Sequence, residues 1–143
     1  MKRAPVSGIL LVLAGITLAL VPYAVLPVCA GTVETASGGS VPMKCFWTAK
    51  AELGVGSLIT FGGLLSCFSR DAGARFGIAA MTAGTALLGI AFPTALIGVC
   101  PSEAMACRMG TLPALVLINS VVAVISLFAC RNSRRAMKRG GER

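Results

Sequence analysis

Residues Val6–Leu26 read VSGILLVLAGITLALVPYAVL. The run carries no charge. It is as long as the roughly 20 apolar residues that an α-helix needs to cross the hydrocarbon core of a bilayer. A secretory signal would share the basic start, Met1-Lys2-Arg3, but its apolar core is shorter, about 7–15 residues. Here the run is longer and ends Leu26-Pro27-Val28-Cys29, so it reads as a span. Pro22 and Pro27 at its far end predict a kink or a stop.

Three more runs of this kind follow. Ala51–Phe68 is short for a span, so Phe46, Trp47 and Thr48 are expected to begin that helix at the interface, with Trp47 as its amphipathic anchor. Phe76–Val99 is built on small residues; Ala80-x-x-x-Gly84 and Thr85-x-x-x-Gly89 have the spacing that lets helices approach closely in lipid. Leu112–Cys130 begins with Pro113, a position where proline is tolerated. The prediction is all-α: an integral membrane four-helix bundle over residues 1–143 as a single transmembrane domain. Its helices are expected at about 6–28, 46–68, 76–99 and 111–130. Loops 29–45 and 100–110 join them, and a basic tail, 131–143, follows.

Composition agrees. The chain is 56% hydrophobic and only 13% charged, where soluble domains are about a quarter charged. The net charge of +8 comes from residues that flank apolar runs, which excludes a nucleic-acid-binding face. Histidine is absent, which removes His-ligated metals and imidazole acid–base chemistry. Ten of the thirteen basic residues fall on one side: Lys2, Arg3, Arg70, Arg75 and six in the tail. The positive-inside rule then puts both termini in the cytoplasm and both long loops outside.

The two halves share a pattern. Pro22 precedes Cys29 by seven residues, and Pro93 precedes Cys100 by seven. Each loop carries Met-x-Cys, Met43-Lys44-Cys45 and Met105-Ala106-Cys107, and Cys67 and Cys130 close the following runs. The expected architecture is therefore two parallel-repeat helical hairpins about an axis along the membrane normal.

The outward cysteines Cys29, Cys45, Cys100 and Cys107 would lie in an oxidising compartment, where disulfides form. Cys29–Cys45 and Cys100–Cys107 are the simplest pairs, but four cysteines allow three connectivities. Soft-metal binding is the sharper alternative: Met43, Cys45, Met105 and Cys107 are thiolate and thioether ligands that suit iron or copper, and Glu52 and Glu103 would add carboxylates. Thiol exchange is another, with Lys44 and Arg108 beside Cys45 and Cys107 to favour the thiolate. The outline of four helices with outward cysteine pairs resembles the quinone-linked disulfide oxidoreductases of bacterial membranes, but their Cys-x-x-Cys pair is absent. Cys67 and Cys130 face the reducing side and are expected to remain thiols.

No run is read as holding a charge within the membrane. Asn119, Ser120, Ser126, Ser57, Thr60, Thr82 and Thr85 are its polar groups. Ion pathways usually carry an ionisable residue at mid-depth, so this reading favours an accessory subunit over a transporter or proton-coupled pump.

Met43-Lys-Cys-Phe-Trp-Thr-Ala-Lys-Ala-Glu52, with Cys29 before it and Cys100…Met105-Ala-Cys107-Arg108 after it, resembles an uncharacterised family of small four-helix bacterial membrane proteins. That family is labelled as a domain of unknown function. The resemblance covers nearly the whole chain. It implies residence in the bacterial cytoplasmic membrane and association with ABC-transporter permeases and iron-uptake modules. The residue after Met-Lys-Cys is typically His in that family; here it is Phe46, which puts a His-dependent ligand role in doubt. The expected function is thus a non-enzymatic membrane subunit of a metal-uptake system, with the lipid bilayer and an ABC-transporter permease or another membrane subunit as its partners. A membrane thiol–disulfide oxidoreductase and a purely structural bundle with loop disulfides are the alternatives.

Overall fold

In lipid every backbone N–H and C=O must find its partner within the protein, so apolar runs of this length fold as helices. A computed structural model describes residues 4–28, 31–34, 38–99 and 107–141. Four α-helices account for most of it: α1 (Ala4–Leu20), α2 (Lys44–Phe68), α3 (Ala72–Ala91) and α4 (Leu112–Gly141). All four lie in segments long and apolar enough to cross a membrane. The chain reads as a multi-pass membrane protein. The helices alternate in direction, so the long loops gather at one end of the bundle, the loop end. The α2–α3 turn and the extension of α4 lie at the other, the basic end.

Unlike a soluble bundle, this one is apolar on its outside as well as in its core, and it buries several polar groups. Buried positions on α2 recur every three or four residues, at Cys45, Thr48, Glu52, Val55, Ile59, Gly63 and Ser66. Thr82 on α3 and Thr111, Asn119, Ser126 and Ser133 on α4 and the turn before it are also buried, while Leu13, Leu58, Phe61, Met81, Leu117 and Phe128 are exposed. In water so many bare apolar side chains would drive aggregation; in hydrocarbon they are solvated.

The most extensive packing is α1 on α2 and α3 on α4. Between α1 and α2 the backbones touch. A Cβ on Gly56 would lie 2.7 Å from the Gly15 carbonyl oxygen and 2.8 Å from the Ala19 nitrogen. One on Gly63 would lie 2.8 Å from the Val12 nitrogen and 2.9 Å from the Gly8 oxygen. This corrects the expectation for Ala80 and Gly84. Both are exposed, and Gly84 has no neighbour within 4 Å. The inner seam of α3 instead runs through Ala79, Ala83, Ala86 and Gly89, a phase that turns Ala80 and Gly84 outward.

Three boundaries differ from expectation. Helix α3 starts at Ala72, not near 76, because the Asp71 carboxylate caps it and accepts a 2.7 Å hydrogen bond from the Ala74 N–H. Helix α4 does not stop at 130. Residues 131–139 are mostly Arg, Lys, Ala and Met, good helix formers, with no Gly or Pro before Gly140, and the Arg134 guanidinium sits 5.0 Å over the Phe76 ring. The first long loop holds the third difference, an ordered start to α2. It contains an antiparallel pair, β1 (Thr32–Glu34) and β2 (Ser40–Pro42), in the register Thr32↔Pro42, Val33↔Val41, Glu34↔Ser40. Gly38, with φ 80°, supplies a left-handed backbone before β2.

Pro22 and Pro93 each sit second in a π-helical turn, Val21–Val25 and Phe92–Leu96. Proline clashes with the carbonyl four residues back, and the wider turn relieves this. The Leu26 N–H donates to the Val21 oxygen at 2.8 Å and the Ile97 N–H to the Phe92 oxygen at 3.0 Å. The expected breaks at Pro22 and Pro93 therefore take the same form in both halves.

Candidate functional site

The loop end is built where α2 and α4 begin and α1 and α3 finish. At its outer layer Cys45 and Cys107, 1% and 0% exposed, fall in one buried cluster, with Val28 and Met43 packed against them. Cys45 is the second residue of α2. Cys107 opens a π-helical turn, Cys107–Thr111, that leads into α4. The fold thus unites three of the predicted sulfur residues. Cys29, Cys100, Met105 and Glu103 lie outside the described residues, and with them both expected loop disulfides.

One helical turn deeper, two threonines tie the hairpins together. Thr48 Oγ1 on α2 donates to the Gly98 carbonyl after α3 at 2.7 Å. Thr111 Oγ1 before α4 donates to the Leu26 carbonyl after α1 at 3.2 Å. Both carbonyls lie just past the π-helical turns that end α1 and α3, Val21–Val25 and Phe92–Leu96. Thr48→Val and Thr111→Val are each expected to cost about 1 kcal/mol. Thermal unfolding in detergent checks this, and the two changes together should add, since the bonds share no partner.

A turn below lies a residue that the sequence reading misplaced. Glu52 is fully buried. Its Oε2 accepts from Asn119 Nδ2 at 3.2 Å, and the same amide nitrogen donates to the Leu115 carbonyl at 3.0 Å. Asn119 fits because α3 presents Gly89 to it: the amide occupies the space that a Cβ there would take. Glu52 Oε1 and Asn119 Oδ1 have no hydrogen-bond partner among the described residues. An ionisable group does, then, lie inside the bundle, contrary to the expectation of an interior free of ionisable residues. The register carried the signal. Cys45, Glu52, Ile59 and Ser66 are seven residues apart and all face inward, so Glu52 belongs to the inner seam and not to the loop.

Other predicted residues take the opposite face or the opposite end. Trp47 is 56% exposed near the start of α2, where an interfacial anchor is expected. Its ring meets Phe46 edge-on at 5.7 Å. The Lys50 ammonium lies 5.9 Å over the Tyr23 ring and 5.5 Å over Phe46. Cys67 and Cys130 are half-buried at the basic end. Cys67 Sγ fills the space beside Gly8, and Cys130 Sγ donates weakly to the Phe76 carbonyl at 3.9 Å. Among the described residues no group of three or more Cys, Asp or Glu is placed to hold a metal ion.

A family described as "Domain of unknown function (DUF4418)" matches residues 11–131. The chain belongs to the DUF4418 family. The match runs from α1 to the basic end of α4, so the Cys45–Cys107 cluster and the Glu52–Asn119 pair both lie within the DUF4418 region. Comparison with curated proteins and with solved structures gives no match.

Proposed function

We propose that the chain is a non-enzymatic subunit of the bacterial cytoplasmic membrane and an accessory component of an iron- or copper-uptake system of the ABC-transporter type. In this reading both termini are cytoplasmic, as the basic end of the bundle favours, and the loop end faces outward. The observation that carries the proposal is the buried meeting of Cys45 and Cys107 with Met43 packed on them. These are soft side chains, of the kind that select copper(I), zinc or iron over magnesium or calcium. Burial counts against thiol–disulfide exchange, because exchanging cysteines are partly exposed. It suits a site loaded once, or handed over when a partner opens the loop end.

Two matched features support a duplicated hairpin beneath this arrangement. The proline turns at Pro22 and Pro93 have the same form, and Thr48 and Thr111 make reciprocal bonds from one hairpin to the other. A duplicated hairpin brings the second sulfur of each half to the same depth.

The test is metal analysis of protein purified under reducing conditions. About one equivalent of copper(I) or iron per chain is expected, falling below one tenth in Cys45→Ser and Cys107→Ser. Reduced protein that takes up neither metal removes the ligand role and leaves the cysteines a structural one.

A further inference from the structure

The donors around Glu52 are already spent. Asn119 has two amide hydrogens; one goes to Glu52 Oε2 and the other to the Leu115 carbonyl. Two acceptors remain, Glu52 Oε1 and Asn119 Oδ1, both shielded and both without a donor among the described residues. Among those residues no cation is placed against the carboxyl either. Lys50, two residues away on α2, is exposed and directed to the rings of Tyr23 and Phe46. The side-chain partner recorded for Glu52 is the neutral amide of Asn119. A carboxylate in this place would be a buried charge with no opposing charge, the arrangement that proteins avoid by pairing or neutralising it.

We propose that Glu52 is the proton-binding site of the bundle. The proton sits on Oε1, the bare oxygen, and Oε2 is then the carbonyl oxygen that accepts from Asn119. A metal ion fits less well. Hard cations take six or more oxygens, and one edge of the carboxyl already holds an N–H. Apolar side chains shield the site on both sides: Leu115 toward the loop end and Leu18, Ile59 and Val122 toward the basic end are buried in one cluster. This inference is independent of the metal reading, since it uses none of the sulfur residues.

Infrared spectroscopy of the full chain in lipid vesicles at pH 7 tests the proposal. A carboxyl in water is ionised at that pH, so a carboxylic-acid band reports a shielded one. One carboxylic-acid C=O band is expected, moving to lower frequency in D2O and missing in Glu52→Gln. In Asn119→Ala it should move to higher frequency, because the carbonyl oxygen loses its donor. Glutamate labelled with 13C at the side-chain carboxyl must shift the band in the wild-type chain, which gives the same answer without a substitution. Absence of the band, its survival in Glu52→Gln, or its failure to follow the label would overturn the proposal. So would its loss on adding KCl or ZnCl2 at fixed pH, which would assign the charge to a metal cation.

Discussion

Gly56→Val is expected to abolish recovery of monodisperse protein from detergent. At this position even a single added carbon meets backbone atoms of α1, 2.7 Å from the Gly15 oxygen and 2.8 Å from the Ala19 nitrogen. Backbone atoms cannot turn aside as a side chain does, so α1 must move away as a unit. That parts the whole α1–α2 seam, including the contact of Gly63 with Gly8. Overpacking typically costs about 1–3 kcal/mol, and a clash with rigid groups on two sides belongs at or beyond the top of that range. Size-exclusion profiles and thermal midpoints measure it. Gly84→Ala is the control: nothing lies within 4 Å, and a midpoint that is unchanged or raised is expected, since Ala favours helix over Gly by about 1 kcal/mol. Equal damage from both substitutions would mean that the seam is not where α1 and α2 meet.

The second large effect comes from Gly89→Val. The new side chain takes the place of the Asn119 amide, which has to swing out and abandon Glu52. Overpacking of about 1–3 kcal/mol combines with the loss of a donor to a buried carboxyl, about 1–3 kcal/mol more. The expected destabilisation is about 2–6 kcal/mol by those two ranges. A thermodynamic cycle separates the parts. In a Glu52→Leu background no carboxyl waits for the amide, so the same change at Gly89 should cost only the packing component. Full additivity would show that Gly89 does not hold Asn119 for the benefit of Glu52.

Much of this architecture is legible in the residues, and for a physical reason. A bilayer imposes one length on every span, so Val6–Leu26 and its three counterparts announce themselves. The two loops then have to share one end, where Cys45 and Cys107 meet. What run length cannot convey is rotational phase. Ala80-x-x-x-Gly84 has interface spacing but points outward, one step out of phase with Ala79 and Ala83. Glu52 stands at the boundary of an apolar run, where position alone assigns it to the loop; its seven-residue register with Cys45 and Ile59 assigns it to the interior. Asn119 reads as one more polar residue of a span until Gly89 is seen to make room for it. The pair is set by three helices at once, and no single stretch of the chain contains that information.

Helix α4 runs from Leu112 to Gly141 with no glycine or proline between Asn119 and Arg135. It is one rod about 24 Å long between those residues at 1.5 Å per residue. Arg131, Arg134 and Arg135, exposed at its far end, thus share one unbroken helix with the amide that steadies Glu52, and a push on that end has no glycine or proline joint at which to dissipate.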